Sequence, residues 1–331
     1  MEKFLELIRK TKRWNIILHN NPDPDCIGAS FALQFIFNNF KIKSKLFYNG
    51  IIGRAENKEL VRVLKINLYP FSELKLNRNS NFALIDSQFG SKNQPLNKNY
   101  IPKIVIDHHP PKKSLKKVEY VDIRPEIGST STILTEYLKK LEIIPNKKVA
   151  TALYYGIKTD TAGFTRNFTH KDEEAINFLH DYVCFKYLGK IEHPQLNKNY
   201  YKMTCEALNR TEFIKNVIIS DVGKADYPDI CAEIADYFVR MKGISWVLVF
   251  SEFENNLYFS IRTRSRLKIA GKIAISLTRG IGSGGGHNTY AAGVIPFKDE
   301  IEKEEVKQKL KEKFLKKVLK NKWTLRKGQL H

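Results

Sequence analysis

The sequence predicts an α/β protein with a mostly parallel, doubly wound sheet and a second, smaller domain built on a mixed sheet. Three observations support this prediction. Apolar β-branched runs alternate with helical patterns through the first half of the chain, which is the pattern of a parallel sheet. From Thr211 onward the hydrophobic runs are mostly β-rich. The 331 residues also exceed what one core comfortably buries, so two domains are expected.

The elements of the first half are predicted from their apolar spacing and from the residues that stop them. Apolar residues at positions 4, 5, 7 and 8 give the first helix one inward face. Pro110 and Pro111 prevent the last strand from continuing, and hydroxyl residues at 129–131 offer helix caps. The predicted order is a helix at 2–12, a strand at 15–18, a helix from 28, a strand at 45–48, a helix at 58–65, strands at 81–85 and 104–106, and helices at 132–141 and 148–159.

The second half begins with a helical region, interrupted at 189–194, which we interpret as the connection between domains. Strands are predicted at 217–220, 246–250 and 257–262, the last two joined by a hairpin. A final helix over 297–323 has one apolar stripe and is expected to lie on the second domain. We therefore expect a catalytic domain at 1–185, a connection at 186–210 and a substrate-binding domain at 211–331.

The composition is strongly basic. Lys and Arg number 56 against 35 for Asp and Glu, a formal charge of +21, which favours a polyanionic partner such as nucleic acid or nucleotides. A generally lysine-rich proteome would give the same charge. The final helix ends in basic residues that could instead form a nucleic-acid tail, namely Lys316, Lys317, Lys320, Lys322, Arg326 and Lys327.

The cysteines and the apolar runs indicate the expected compartment. Cys26, Cys184, Cys205 and Cys231 are widely spaced, which indicates neither a zinc knuckle nor a disulfide framework. A reducing cytoplasm is therefore the expected location. The charged first helix does not resemble a signal peptide, and no apolar run approaches the length of a membrane span.

Acidic and histidine side chains recur at the ends of the predicted strands and helices. In a parallel sheet the carboxyl ends of strands lie at one edge, where ligands collect. Asp23 and Asp25 would repel each other without a cation between them, although Asp25 could simply cap a helix. Each of these residues alone could be a cap or a solvated group. Together they suit a two-metal site for an ion such as Mn²⁺: His19, Asp23, Asp25, Asp86, His108 and Asp160.

The order of these residues resembles the four motifs of the DHH phosphoesterase superfamily. The motifs are His19-x-x-x-Asp23-x-Asp25-x-x-Gly28, then Asp86, then Asp107-His108-His109, then Gly156-x-x-x-Asp160-Thr161. The superfamily includes exopolyphosphatase-like and RecJ-like enzymes and family II pyrophosphatases. In the second half, Gly284-Gly285-Gly286-His287 resembles the glycine-histidine motif of the accessory DHHA1 domain. Consecutive glycines could also form a loop that cradles phosphate through backbone N–H groups.

The resemblance implies two divalent cations, with Mn²⁺ expected and Mg²⁺ or Co²⁺ as alternatives, and a bridging hydroxide as the nucleophile. His19, Asp23 and Asp86 would hold one ion. Asp25, Asp86, His108 and Asp160 would hold the other. Asp107 would orient a histidine, and His109 would contact the phosphate or protonate the leaving oxygen.

The resemblance also implies the residues that contact substrate. They are Arg166, Arg262, Arg264, Gly284, Gly285, Gly286 and His287. In many relatives an arginine directly follows the phenylalanine of the fourth motif, whereas Thr165 occupies that place here and Arg166 is displaced by one. The role of Arg166 is therefore open.

The resemblance further implies a cleft between the two domains that gauges substrate length. We expect a phosphodiesterase for very short substrates, which are linear dinucleotides, short oligoribonucleotides or cyclic di-AMP, with nucleoside 5′-monophosphates as products. Longer single strands would require an open channel and a further module such as an OB-fold. The alternatives are a RecJ-like exonuclease on longer RNA or DNA strands and a non-catalytic nucleotide-binding module. A homodimer is also possible.

Overall fold

The computed structural model describes residues 1–77, 80–111, 113–265 and 269–327. The chain forms two compact units, Met1–Gln195 and Leu196–His331. Within the described residues, no helix has the length and apolar character needed to cross a membrane.

The first unit alternates strands and helices. Its elements are α1 (Glu2–Arg9), β1 (Arg13–Asn20), α2 (Pro24–Asn39), β2 (Lys43–Asn49), α3 (Ala55–Leu64), β3 (Leu68–Pro70), β4 (Phe82–Ile85), β5 (Ile104–Asp107), β6 (Tyr120–Ile123), α4 (Thr130–Lys140), α5 (Lys147–Asp160), α6 (His170–His180) and α7 (Phe185–Glu192).

In the described part of this unit, six strands form one parallel sheet in the order β3-β2-β1-β4-β5-β6. The strand order reverses direction between β1 and β4. In doubly wound sheets such a switch point opens a crevice at the carboxyl ends of the flanking strands, because the connections on either side of it run in opposite directions. The parallel, doubly wound sheet predicted from the sequence is therefore confirmed.

The second helix begins earlier than its apolar run suggests. The sequence indicated an extended loop up to Gly28, whereas α2 begins at Pro24. Proline is well tolerated at the first helical position because its missing N–H has no helical partner there. Asp23 precedes it as the N-cap and accepts a hydrogen bond from the Cys26 backbone at 3.0 Å. This start places Asp25 inside the first turn of α2.

Helices α2 and α5 pack closely against each other through two glycines. A Cβ atom on Gly28 would lie 2.6 Å from the carbonyl oxygen of Ala152, and one on Gly156 would lie 3.1 Å from the Cα atom of Asp25. Both glycines belong to motifs found in the sequence. The close approach brings the first turn of α2, which carries Asp25, against α5, which ends at Asp160.

The second unit is a smaller α/β structure on a mixed sheet, as predicted. Its sheet has the order β11-β12-β10-β9-β8-β7, in which β8 and β9 are parallel and the other neighbours antiparallel. The elements are α8 (Lys198–Asn209), β7 (Glu212–Ile214), β8 (Val217–Lys224), α9 (Ile230–Phe238), β9 (Trp246–Phe253), β10 (Asn256–Thr263), α10 (Ala270–Thr278), β11 (Ser283–Gly286), β12 (Tyr290–Pro296) and α11 (Glu300–Lys327).

The long final helix packs on this sheet, as the apolar stripe predicts. Leu310, Phe314 and Val318 are buried with strand residues, and the Phe314 ring lies 6.1 Å from the ring of Trp246. The side chains of Lys320, Lys322, Arg326 and Lys327, which the sequence indicated as a basic tail, lie outside the described residues.

Candidate metal and phosphoester site

The candidate residues gather at the switch point of the parallel sheet. His19 lies near the end of β1, Asp86 follows β4, and Asp107 is the last residue of β5 with His108 and His109 directly after it. Because the three strands are parallel neighbours, their carboxyl ends lie at one edge. The first turn of α2 and the last residue of α5 add Asp25 and Asp160.

Asp86 lies at the centre of the cluster and is almost fully buried. One carboxylate oxygen, Oδ2, is 3.4 Å from Nε2 of His19, and the other, Oδ1, is 3.6 Å from Nε2 of His108. Its backbone has φ +56°, a left-handed conformation that is uncommon outside glycine and that recurs at functional sites. Its N–H donates to the carbonyl of Ile106, on the adjacent strand β5, at 2.9 Å, which holds this turn in place.

Backbone carbonyl groups orient two of the histidines. Nδ1 of His19 is 2.9 Å from the carbonyl oxygen of Asn20, and Nδ1 of His108 is 3.3 Å from that of Ile127. A carbonyl oxygen can only accept, so Nδ1 carries the proton in each ring and Nε2 is the basic nitrogen of the neutral form. In both rings Nε2 faces carboxylates. This is the arrangement of histidines that bind a metal through Nε2.

Helix α4 holds Asp25 through its amino terminus. The backbone N–H groups of Thr130 and Ser131 donate to the two carboxylate oxygens of Asp25 at 2.7 and 2.8 Å. The hydroxyl of Thr130 donates to Oδ1 of Asp86 at 2.8 Å. One helix start therefore fixes two of the predicted metal ligands.

The cluster holds several carboxyl groups that lie close together and are buried from solvent. Burial, together with the nearby carboxylates of Asp86 and Asp160, raises the pKa of Asp25 well above its ordinary value. Burial also raises the pKa of Asp160 to about 6, aided by Asp23 and Asp86 and opposed by His108. Carboxylates that repel one another in a buried site are stabilised by a bound cation.

The two ends of the cluster differ in their contacts. At one end, Nε2 of His19 is 3.6 Å from Oδ1 of Asp23. Burial alone would raise the pKa of Asp23, but its interaction with His19 outweighs burial and lowers it. At the other end, Nε2 of His108 is 3.1 Å from Oδ2 of Asp160. The guanidinium of Arg166 donates to the backbone carbonyl of Asp160 at 2.7 Å, so this displaced arginine still lies beside the site.

Asp107 and His109 form a separate hydrogen-bonded pair at the edge of the cluster. Nδ1 of His109 lies 2.8 Å from Oδ1 of Asp107, whose Oδ2 accepts a hydrogen bond from Gln88 at 2.6 Å. Burial would lower the pKa of His109, but the bond to Asp107 and the charge of Asp86 raise it to about 9. The His109 side chain is 43% exposed, compared with 2% for Asp86. It therefore faces solvent, whereas Asp86 is enclosed.

The donor set fits divalent cations. Among the residues that the structure describes, three groups of side chains bring one potential ligand atom each within 4.8 Å of one another, and Asp86 belongs to two of them. The groups are His19 with Cys26 and Asp86, Asp86 with His108 and His109, and Asp25 with His108 and Asp160. Carboxylate oxygens and imidazole nitrogens are ligands for hard and borderline divalent ions.

The glycine-rich motif of the second unit forms a strand where the sequence indicated a loop. Gly284, Gly285 and Gly286 lie in β11, which pairs with β12. Glycine is required at Gly284 because a Cβ atom there would lie 2.8 Å from the hydroxyl of Thr278 on α10. The absence of side chains lets this edge strand pack directly against α10. The His287 ring stacks on Tyr290 at 4.7 Å between ring centroids.

The two predicted substrate arginines of the second unit differ in their surroundings. The guanidinium of Arg262 pairs with Asp236, donates to the hydroxyl of Ser260 at 2.6 Å and lies 5.8 Å from the centre of the Tyr290 ring. Arg264 is exposed, and its backbone N–H donates to the carbonyl of Ser245. The assignment of both arginines to substrate stays a prediction.

Comparison with known proteins identifies both units. Residues 14–157 match the N-terminal domain of the DHH family, and residues 215–318 match the DHHA1 domain. The chain belongs to the DHH family. Its members are metal-dependent phosphoesterases, and the resemblance found in the motifs is confirmed.

Several relatives cover nearly the whole chain. A protein of Methanocaldococcus jannaschii is 35% identical over 92% of this chain, and the chain spans 63% of the length of that protein. A protein of Mycoplasma genitalium is 24% identical over 92% of this chain and 93% of its own length. An exopolyphosphatase-related protein from Bacteroides fragilis has the same fold, with a TM-score of 0.68 and 16% identity over 96% of this chain and 97% of its own.

Some residues of this DHH-family site escaped sequence reasoning. The sequence predicts Thr130 and Ser131 only as helix caps, whereas in the structure they contact Asp25 across more than 100 residues of chain. Gln88 had no indicated role. The spacing of Cys26 from the other cysteines does not indicate that its Sγ lies beside His19 and Asp86. The sequence signal for Thr130 and Ser131 was the run of hydroxyl residues that follows Gly128.

Proposed function

We propose that this DHH-family protein is a phosphodiesterase that hydrolyses very short nucleotide substrates to nucleoside 5′-monophosphates. Linear dinucleotides and short oligoribonucleotides are the main candidates, and cyclic di-AMP is a further one. The observation that carries the proposal is the position of Asp86 between the Nε2 atoms of His19 and His108 at the switch point of the sheet. A carboxylate so placed can serve two cations at once.

The cluster would bind two divalent cations, and we propose that these cations are Mn²⁺. His19, Asp23 and Asp86 would bind one. The second would be bound by Asp86 and by Asp25, His108 and Asp160. When bound, such cations acidify water and neutralise the charge that develops on a phosphoryl group. The mixture of carboxylates and imidazoles is the observation that favours Mn²⁺ over an ion bound by oxygen alone.

The chain also supplies a group for proton transfer. The carboxylate of Asp107, held by Gln88, fixes the His109 ring through Nδ1. We assign to Nε2 of His109 the donation of a proton to the leaving oxygen, or a hydrogen bond to the phosphate. Its pKa of about 9 keeps the ring protonated at neutral pH, as an acid must be before the reaction. Asp107 acts as the orienting residue.

Substrate binding is assigned to residues of both units. Arg166 is held beside Asp160 and supplies positive charge for a phosphate. In the second unit we assign the same role to Arg262, Arg264 and His287. The backbone of Gly284, Gly285 and Gly286 would accommodate a close phosphate. The stacked His287 and Tyr290 rings offer an aromatic face of the kind on which nucleobases stack.

The proposed short substrate follows from the resemblance to two-domain phosphodiesterases. The formal charge of +21 would equally suit a RecJ-like exonuclease on longer RNA or DNA strands. We further propose that the protein acts in the cytoplasm, where its free cysteines would stay reduced. Assembly as a homodimer is a further possibility.

The proposal is tested by a substrate panel. The purified full chain is incubated with Mn²⁺ and either cyclic di-AMP, linear diadenylate, 3′-phosphoadenosine 5′-phosphate or single strands of graded length, and products are separated by chromatography. We expect the highest kcat/KM with dinucleotides and the shortest RNAs, and nucleoside 5′-monophosphates as products. A kcat/KM that rises with strand length would favour the exonuclease. Binding without turnover of any substrate would favour the nucleotide-binding module.

A further inference from the structure

We propose that Asp172 is a positioning residue for the metal site. Its carboxylate fixes the segment 128–132, and this segment holds Asp25 and Asp86. The inference rests on the proposed metal site and adds a residue that lies outside the four motifs. Asp172 is completely buried in the first turn of α6.

The carboxylate of Asp172 receives hydrogen bonds from two separate parts of the chain. From its own helix start, the backbone N–H and the hydroxyl of Thr169 donate to Oδ2 at 2.8 and 2.6 Å. From a distant segment, the N–H of Gly128 lies 3.1 Å from Oδ2 and the hydroxyl of Thr132 donates to Oδ1 at 2.5 Å. Capping of α6 accounts for the first pair of contacts only. The second pair joins α6 to the segment before α4.

The chemistry of these contacts requires a carboxylate. All four groups act as donors, and a carboxylate is an acceptor at both oxygens. A buried carboxylate is costly unless it is satisfied in this way, so the arrangement is strongly specified. Position 128 likewise accepts only glycine, because a larger residue has no room for its Cβ atom. A Cβ atom there would lie 2.7 Å from Oδ2 of Asp172 and 2.8 Å from the carbonyl oxygen of Asn167.

The same segment holds the site carboxylates. Between the two residues that contact Asp172 lie Thr130 and Ser131, whose N–H groups donate to Asp25. Thr130 also donates through its hydroxyl to Asp86. The N-cap residue Ser129 accepts from the Thr132 backbone at 3.1 Å, which ties the segment together. A shift of this segment would therefore move the partners of two carboxylates at once.

Two matched variants test the inference, because each removes one hydroxyl donor to Asp172. Thr132→Val acts on the segment 128–132, and Thr169→Val acts on α6. Mn²⁺ dissociation constants are measured by calorimetry well below the melting temperature of each variant, and backbone hydrogen exchange at residues 130 and 131 is measured without metal. Thr132→Ser retains the hydroxyl and serves as the rescue.

We expect Thr132→Val to weaken Mn²⁺ binding by about tenfold, in the range for residues that orient metal ligands, and to accelerate exchange at residues 130 and 131. Thr169→Val should lower the melting temperature and leave both readouts near wild type, and Thr132→Ser should restore them. Equal effects of the two valine variants, or no effect of Thr132→Val on either readout, would overturn the inference.

The outcome stays decisive if the wild type binds no Mn²⁺. In that case the proposed function fails, and the hydrogen exchange of residues 130 and 131 alone decides whether Asp172 fixes the segment. Asp172→Asn gives the stronger perturbation where it folds, because its amide would direct N–H groups toward other donors. Where it does not fold, the comparison of the valine variants is sufficient.

Discussion

The hydroxyl of Thr130 donates a hydrogen bond to Oδ1 of Asp86 at 2.8 Å. This contact joins the start of α4 to the carboxylate that lies between His19 and His108. Because Asp86 is buried, its orientation depends on such fixed partners, and the proposed metal site would depend on that orientation.

Replacement of Thr130 by valine removes this hydroxyl and keeps the size of the side chain. We expect Thr130→Val to raise the Mn²⁺ dissociation constant by about tenfold, the scale found when a partner of a metal ligand is lost. The measurement is calorimetric titration of the metal-free protein. Thr130→Ser is the matched control and should bind Mn²⁺ like the wild type. Equal affinity in the valine variant would show that the contact does not orient Asp86.

His109, which faces solvent and is held by the buried carboxylate of Asp107, predicts a loss of turnover without a loss of metal. We expect His109→Asn to lower kcat by roughly 10²-fold or more, the contribution typical of a general acid, while Mn²⁺ affinity is retained. The control is His170→Asn, at a histidine whose side chain is 79% exposed and lies on α6. A normal kcat in the His109 variant would remove this residue from the mechanism.

The metal-free protein should become less stable as pH rises from about 6 to about 9. Folding raises the pKa of His109 to about 9 and also raises those of His19, His108 and Asp25. The pKa of Asp160 is raised only to about 6, so its contribution is lost mainly at and below the start of this range. Groups whose pKa is raised by folding stabilise the protein while they are protonated, and this stability is lost as pH rises through the folded pKa.

Melting temperatures at pH 6 and pH 9, with and without Mn²⁺, measure this effect. Asp23 and Asp107, whose pKa values folding lowers, lose their contribution only in acid, below the ordinary pKa of 3.8, and so do not change the sign in this window. Mn²⁺ should stabilise the protein most at high pH, because it binds the deprotonated ligands. A metal-free melting temperature that rises from pH 6 to pH 9 would contradict the assignment.

The close packing of α5 against α2 predicts that a larger residue in place of Gly156 destabilises the protein. A Cβ atom there would lie 3.1 Å from the Cα atom of Asp25 and 3.2 Å from the carbonyl oxygen of Pro24. We expect Gly156→Ala to lower the free energy of unfolding by about 1–3 kcal/mol through overpacking and to weaken Mn²⁺ binding. Gly189→Ala is the control, since its Cβ would meet no atom within 4 Å. That variant should gain about 0.5–1 kcal/mol in its helix. Equal denaturation midpoints would contradict the packing argument.

A simple geometric rule makes the proximity of these residues predictable from the sequence. His19, Asp86 and Asp107 each lie at the carboxyl end of an apolar strand, and parallel strands place those ends together. Thr130 and Asp172 were not found because their contacts depend on how helices dock on the sheet, across separations of 44 residues in each case. Apolar periodicity does not encode such docking.

The start of α2 and the form of the glycine motif were also missed, for local reasons. The sequence predicts a loop at Pro24 because the apolar run begins only at Gly28, whereas proline at a first helical position favours a helix. The residues Gly284 to Gly286 indicate a loop from sequence, because glycine is common in turns. In the structure the missing side chains permit close packing of β11 on α10. Composition alone does not distinguish these two uses of glycine.

The most direct test of the account is the turnover of linear diadenylate with Mn²⁺ by the wild type and by Asp86→Asn. Asp181→Asn, at an aspartate whose side chain is 85% exposed, controls for substitution itself. We expect wild-type and control turnover to match, and the Asp86 variant to lose on the order of 10³-fold in kcat, which corresponds to several kcal/mol of lost charge stabilisation. Turnover of diadenylate by Asp86→Asn at the wild-type rate would contradict the two-metal site.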